Sequence, residues 1–284
     1  MPVAIVADST CDLTPAQAAS MFVDLVPIYV RFGAQQYRDG ADISVDDFYR
    51  RLDPKAELPT TEPPERESFE QLFQKHVAAG RDVVCVTLSS KLSKTFEIAT
   101  QAAAPYGSRV RIVDSKTISG GGGLLVSGAA RMARAGKDAQ AICAALARWI
   151  GSQRGYAVYP DLKFMAKSGR INKAQLVLGT VMQMVPVTRI TPDGAIESET
   201  TVKSWDQAKE MLASIAFRRL ERPANSRVFI THADAPADAR RVADHLREKL
   251  AAPLKELEIH TAGATIGANV GPGSLGIFML EDAA

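Results

Sequence analysis

Short apolar segments that alternate with amphipathic ones are the feature that most restricts the fold of this 284-residue sequence. In the first part of the chain, strands are predicted at residues 3–7, 25–30, 82–88 and 109–113. Between the last two, Ser93 is expected to cap a helix by accepting a backbone N–H of its first turn. This alternation predicts a mostly parallel sheet with helices on both faces, which is the arrangement of an α/β fold.

The pattern starts again near residue 155, after a glycine-containing stretch at 151–155. Further strands are predicted at 156–159, 226–231 and 257–261, with a helix at 237–250. The sequence Pro192-Asp193-Gly194 lies between two extended segments and predicts a β-hairpin. We therefore predict two α/β domains, a Rossmann-like one at 1–155 and one with a mixed sheet at 156–284. A glycine-rich loop at 263–276 is expected to return to the site.

Three predicted strands of the first half end in loops that carry hydroxyl groups, with the sequences ADST (7–10), TLSSKLS (87–93) and VDSKTISGGGG (113–123). Ligands of parallel sheets collect beyond the carboxyl ends of the strands. Hydroxyls and the N–H groups at a helix start suit a carboxylate or a phosphate. The apolar segment 176–187, with Met182 and Met184, either helps to bind the rest of such a ligand or is ordinary core.

The composition excludes several classes of protein. Lys plus Arg number 34 against 32 Asp plus Glu, and this net charge of +2 argues against a nucleic-acid partner. No run of 18 apolar residues is present, and MPVAIVADST does not resemble a signal peptide. Three widely spaced cysteines argue against a disulfide framework and favour the reducing cytoplasm. The four histidines lack the spacing of metal ligands, so we predict no metal site.

An enzyme built on the same hydroxyl-rich loops, a phosphotransferase or a hydrolase, is the alternative. No G-x-S-x-G motif is present, and Gly120–Gly123 match neither the Walker A motif nor G-x-G-x-x-G. These glycines are better explained as a helix start that packs closely. Asp8 and Asp114 each end a strand, where they would either bind Mg²⁺ or cap a turn.

Seven segments together resemble the DegV family of bacterial fatty-acid-binding proteins, and they span nearly the whole chain in the order of the family. They are VADSTCDL (6–13), LPTTEPPERESF (58–69), TLSSKLSKTF (87–96), VDSKTISGGGG (113–123), LKFMAKSGRI (162–171), VPVTRITPDGAI (185–196) and GANVGPGSLGI (267–277).

The resemblance implies a carrier that buries one long-chain fatty acid, such as palmitate or oleate, between two α/β lobes. Such a carrier has no catalytic residue, metal or cofactor of its own. A separate fatty acid kinase phosphorylates the carboxyl group for phospholipid synthesis, and membrane contact is transient, for ligand exchange.

By the family motifs, Thr60 and Ser93 would hold the carboxylate, with Thr61 and Ser90 in the adjoining network. Arg170 matches the arginine linked to the kinase encounter.

Three positions depart from the family pattern. Glu62-Pro63-Pro64 replaces Ser-Gln-Pro, and Lys94 replaces a glycine. Asn269 stands where many members have histidine, and its amide can bind a carboxylate but cannot titrate near neutral pH. We therefore include Asn269 in the expected fatty-acid site. Lys94 is expected either to pair with Glu62 or the head group, or to be a solvated surface lysine.

Overall fold

A computed structural model describes residues 2–53, 57–170 and 184–281 of the chain. In chain order the strands of this part are β1 (Val3–Asp8), β2 (Val23–Val26), β3 (Tyr29–Phe32), β4 (Gln35–Arg38), β5 (Thr60–Glu62), β6 (Asp82–Thr87), β7 (Val110–Asp114), β8 (Arg154–Val158), β9 (Val185–Ile190), β10 (Ile196–Val202), β11 (Ser226–His232), β12 (Glu256–Thr261) and β13 (Leu275–Glu281). Its α-helices are α1 (Pro15–Ser20), α2 (Val45–Arg51), α3 (Arg66–Ala78), α4 (Thr95–Ala103), α5 (Gly120–Arg134), α6 (Ala139–Ser152), α7 (Lys163–Ser168), α8 (Trp205–Arg219), α9 (Pro236–Lys249) and α10 (Ala264–Val270).

The first sheet has the strand order β2-β1-β6-β7, and all of its pairs are parallel. Both of its faces are buried because successive side chains of β1 alternate between two cores. Ile5 packs with Leu125 and Ile142 of α5 and α6, whereas Val6 packs with Phe69 of α3 on the other face. The predicted parallel sheet, covered on both faces, is confirmed.

The strand predicted at 25–30 is wrong in one respect, because it is two strands in two sheets. β2 ends at Val26 and β3 begins at Tyr29, and Pro27 between them has no N–H to continue a ladder. β3 joins β4 and β5 in a small antiparallel sheet, in which Val30 pairs with Thr61. This sheet packs on α2 and α10 through Val30, Phe48 and Ala264.

The second sheet is mixed, with the order β10-β9-β8-β13-β11-β12 and a parallel pair only between β11 and β12. One face packs on α8 and α9, and Phe229, Phe278 and Leu280 on the other face contact Leu124 of α5. The predicted Pro-Asp-Gly hairpin joins β9 to β10. The strands of the first sheet come from residues 3–114 and those of the second from 154–281, while the predicted domain division at residue 155 stays a prediction.

The tip of the β9–β10 hairpin contacts the first half of the chain. The buried Ser89 hydroxyl donates to the carbonyl oxygen of Gly194 at 2.8 Å, and Gly194 has a φ of +95°. Ile196, at the start of β10, packs with Leu88 and Leu92. The hairpin therefore joins the two sheets beside the loop that follows β6.

The prediction of a loop at 263–276 is wrong for most of its length. Residues Ala264–Val270 form α10, and Gly267 in its middle packs against α2, since a Cβ there would lie 2.6 Å from Phe48 Cε1. Glycine serves close packing at this position, rather than the flexibility of a loop. Gly271, with φ of +81°, ends the helix before β13 begins at Leu275.

Two further predictions concern helix starts. Gly120–Gly123 form the buried first turn of α5, as predicted. Ser93 accepts a hydrogen bond from Thr95 N at 3.3 Å as expected, although Lys94 is the residue that directly precedes α4. Among residues 2–53, 57–170 and 184–281, no helix is long and apolar enough to cross a bilayer.

Candidate functional site

An apolar cavity lies between the second sheet and the loops of the first half. About 690 Å³ of atom-free space, including space that is open to solvent, lies among its lining residues. On β8, Tyr156 and Val158 point into the core beneath α8 and α9, so that Gly155 and Ala157 face the cavity. Gly276 on β13 also lines it. The space therefore exists because small residues, Gly155, Ala157 and Gly276, occupy this part of the face.

Both halves of the chain close the cavity. Ile118 precedes α5, Met165 lies on α7, Ile196 begins β10, and Ile266 and Val270 lie on α10. The Tyr159 hydroxyl is within 2.9 Å of Thr188 Oγ1, so these two buried polar groups satisfy each other. The cavity wall is therefore mainly apolar, a surface suited to a hydrocarbon ligand.

Arg170 and Asn269 line one end of the cavity. The Arg170 guanidinium donates to Asn269 Oδ1 and, through Nε, to the Leu92 carbonyl at 3.2 Å. The Asn269 amide donates to Thr61 Oγ1 at 3.3 Å and to the Thr265 carbonyl at 2.7 Å. Three residues expected from the sequence, Thr61, Arg170 and Asn269, are thus connected by hydrogen bonds.

The charge of Arg170 has no counterion in the described structure. The side chain is half-buried, its burial lowers the pKa of the guanidinium, and no described carboxylate lies within ion-pair distance. A partly desolvated cation is stabilised by an anion placed beside it. This end of the cavity therefore favours an acidic group, whereas the remainder favours an apolar chain.

The other expected residues lie around this end with differing exposure. Ser93 is half-buried, its hydroxyl is 2.9 Å from Thr95 Oγ1, and it follows the Leu92 carbonyl that Arg170 binds. Thr60 is exposed and adjacent to Thr61 on β5, so its side chain points to the opposite face of that strand. That Thr60 and Ser93 hold a ligand head group stays a prediction.

Ser90 is exposed, and its hydroxyl donates to Asp114 Oδ2 at 2.6 Å. Asp114 also accepts from Lys116 N at 3.0 Å, and the buried Asp8 accepts from Leu88 N at 2.7 Å and from Thr10 N at 3.0 Å. Both carboxylates thus cap turns, the second of the two roles considered for them. Within the described residues, no group of three or more His, Cys, Asp or Glu side chains is arranged to hold a metal ion.

The positions that depart from the family pattern have local partners. Glu62 lies 3.4 Å from Arg31 and accepts a hydrogen bond from Gln36, rather than pairing with Lys94. Lys94 is exposed. Of the apolar segment at 176–187, residues 176–183 with Met182 lie outside the described residues. Met184 has its sulfur 3.8 Å from Thr201 Oγ1.

Two buried carboxylates that hold the start of α10, a helix that lines the cavity, were not predicted. Asp12 accepts from Gly263 N at 2.9 Å and from the Ser119 hydroxyl. Asp39 accepts from Ala264 N and Thr265 N, each at 3.1 Å. Together they bind the free N–H groups at the start of α10. The available sequence signal was the position of Asp12 in VADSTCDL, which says nothing of a partner more than 200 residues away.

We expect Asp12→Asn to be more stable relative to wild type at alkaline pH than at acidic pH. Burial raises the Asp12 pKa from 3.8 to about 7, with the Asp39 charge adding to the effect. A raised carboxyl pKa gives stability that is complete below pH ~4 and is lost as pH rises through ~7. The variant lacks this loss, so its free energy of unfolding should gain roughly 3 kcal/mol on wild type between pH 4.5 and pH 8, at about 1.36 kcal/mol for each pH unit between 4.5 and 7.

Urea unfolding at several pH values measures this difference. Asp46→Asn, at an exposed position on α2, controls for the removal of one negative charge. A constant difference between Asp12→Asn and wild type across this pH range would contradict the expectation.

The fold and cavity define the class, an α/β protein with two main sheets and an apolar cavity between the second sheet and the loops of the first half. The chain belongs to the DegV family, described as a family of uncharacterised proteins, whose model matches residues 2–282. A DegV domain-containing protein from Halalkalibacterium halodurans is 31% identical over 281 residues, covering 97% of each chain.

Two solved structures extend this likeness to proteins with known ligands. A fatty-acid-binding DegV family protein from Thermus thermophilus is 26% identical with a TM-score of 0.92, covering 99% of this chain and 100% of that one. A stearic-acid-binding protein from Eubacterium ventriosum is 25% identical with a TM-score of 0.89, covering 98% and 97%. Fatty-acid binding is therefore shown for similar members of the family.

Proposed function

We propose that this protein binds one long-chain fatty acid, with its carboxylate beside Arg170 and Asn269 and its hydrocarbon tail in the cavity. The observation that carries the proposal is a mainly apolar cavity with a half-buried arginine at one end. A neutral lipid would leave that cation without an anion, and a small acid would leave the apolar wall uncovered. A fatty acid satisfies both parts of the cavity.

The tail and the head group of the ligand contribute to the binding free energy in different ways. Burial of a sixteen-carbon chain contributes roughly 12 kcal/mol before ordering costs, at about 0.8 kcal/mol per methylene. The tail alone therefore accounts for tight binding. The head-group contacts chiefly prevent the penalty of a buried, unpaired carboxylate. We expect the hydroxyls of Thr61 and Ser93, together with the Arg170 guanidinium, to meet that need.

We further propose that the bound acid is presented to a separate fatty acid kinase in the cytoplasm, and that the acyl phosphate enters phospholipid synthesis. The resemblance on which this rests includes Arg170, and the position of Arg170 at the cavity end agrees with a carboxylate offered to a partner. The catalytic groups belong to the kinase on this view. Contact with the membrane is transient and serves ligand exchange.

We expect protein purified from bacterial cells to contain close to one equivalent of fatty acid, because an apolar cavity retains an apolar ligand during purification. Native mass spectrometry before and after lipid extraction measures this content. The extracted protein should take up added palmitate or oleate. Ala157→Trp, which fills the cavity from β8, should abolish uptake.

Ala144→Trp places the same side chain at an exposed position on α6 and should leave uptake unchanged. Thermal unfolding of both variants shows whether each is folded. Wild-type protein that contains no fatty acid and takes up none at micromolar concentration would overturn the proposed function.

A further inference from the structure

The register of β8 and β13 directs Phe278 away from the end of the cavity that Arg170 lines. The cavity follows β8 and β13, which are antiparallel, so that Leu275 pairs with Val158 and Phe278 pairs with Gly155. Asn269 bonds to Arg170 and Ser274 bonds to Val270, so these residues lie at the Arg170 end. Phe278 and Gly155 lie three residue pairs further along the two strands, with Ile190 beside them. A tail that enters at the Arg170 end runs toward the phenylalanine ring.

Four glycines surround this ring. A Cβ on Gly120, Gly155 or Gly276 would lie 2.8 Å from a Phe278 ring atom, and one on Gly121 would lie 3.1 Å away. Two of these glycines belong to α5 and two to the second sheet. The Gly120–Gly123 run, which matched no nucleotide motif, thus provides part of the space for the ring. Because backbone encloses the ring on several sides, it has little freedom to rotate aside.

Core side chains also pack against the Phe278 ring. Phe278 packs with Leu124, Phe229 and Leu280, and Ile190 joins the same cluster. The Ile190 Cδ1 atom lies 3.2 Å from the Cβ position above Gly155, beside the ring. The far end of the cavity is therefore a wall of packed core, and a tail reaching it cannot extend further without displacing that core.

We propose that Phe278 sets the maximum length of the acyl chain that the cavity accepts. This inference rests on the proposed function and adds a specificity-determining residue to it. A chain that just reaches the ring buries every methylene, and each one improves affinity about fourfold. A longer chain leaves methylenes in the polar surroundings of Arg170 or strains the wall. Affinity should rise with chain length up to a limit and then fall sharply.

The test compares Phe278→Ala with Leu280→Ala in binding competition among saturated fatty acids of twelve to twenty carbons. Leu280 is fully buried in the same core and does not line the cavity. Leu280→Ala therefore controls for the general effect of truncating a buried side chain in this core. Phe278→Ala should lengthen the preferred acyl chain by about two to four carbons and tighten binding of the longest acids at least tenfold. Leu280→Ala should keep the wild-type preference.

Phe278→Leu keeps an apolar core if the alanine variant does not fold, and it should lengthen the preferred chain by about one or two carbons. Ile190→Phe places a larger side chain at this end of the cavity and should shorten the preferred acyl chain. An unchanged length preference in folded Phe278 variants would overturn this role of Phe278 while leaving fatty-acid binding intact. Failure of the wild type to bind any of the acids would instead reject the proposed function.

Discussion

Replacement of Gly123 by alanine is expected to destabilise the protein by about 2–3 kcal/mol, whereas alanine at Gly122 should be neutral or stabilising by up to ~1 kcal/mol. Both residues lie in the buried first turn of α5. A Cβ on Gly123 would lie 2.7 Å from the Cys11 carbonyl oxygen, a backbone atom that cannot rotate away. A Cβ on Gly122 would meet Cys11 at 3.5 Å, an ordinary van der Waals distance.

Thermal and urea unfolding of the two variants measure this contrast. The two substitutions have the same chemistry and adjacent places in one helix, so helix propensity affects them alike. The difference therefore reports the contacts of residue 123 with the Cys11 carbonyl and with the Phe229 ring, which lies 3.3 Å from the same Cβ position. Equal stabilities would show that α5 moves away from Cys11 at little cost. A destabilised Gly122→Ala would show that the first turn needs glycine for a reason other than this contact.

Arg170→Met should weaken binding of a free fatty acid by about 10- to 100-fold, because it removes a charged hydrogen-bond donor beside the carboxylate. Binding of the methyl ester should change by less than about threefold, since that ligand has no charge to neutralise. Arg170→Lys should give an intermediate result for the free acid, because lysine keeps the charge but lacks the planar fork. Calorimetry on lipid-extracted protein measures all three affinities.

Arg154→Met is the matched control for this test. Arg154 is exposed at the start of β8, and its guanidinium donates to the carbonyls of Gly151 and Gln153. The double variant Thr60→Ala/Ser93→Ala tests the pair expected from the sequence in the same assay. Equal losses for acid and ester would remove the tested residues from the head-group role. Normal acid binding by Arg170→Met, with lost acyl-phosphate formation, would assign Arg170 to the kinase encounter.

The parts of the fold that follow local rules were predictable. The parallel sheet, the Pro-Asp-Gly hairpin and the helix that begins at Gly120 each depend on neighbouring residues and appear where expected. The division of 25–30 into two strands depends on which sheet each part joins. The helix at Ala264–Val270 was missed because Gly267 is needed against Phe48, a contact between distant segments.

The candidate site was predictable to a similar extent. The motifs assigned Thr61 and Asn269 to the fatty-acid site and Arg170 to the kinase encounter, and the structure connects the three residues by hydrogen bonds. Asp12 and Phe278 were not found, because neither has a local pattern that distinguishes it from a turn residue or a core residue. Their significance comes from partners brought close by folding, namely Gly263 for Asp12 and the four glycines for Phe278.

The buried carboxylates at the start of α10 affect how a ligand can enter and leave the cavity. This helix belongs by sequence to the second half, yet Asp12 and Asp39 of the first half hold its N-terminus, while Asn269 on the same helix borders the cavity. If the two halves separated widely, both carboxylates would lose the hydrogen bonds that they accept from the start of α10. This loss would cost several kcal/mol. Uptake and release of an acyl chain are therefore expected to use small displacements near Arg170, with the halves still joined.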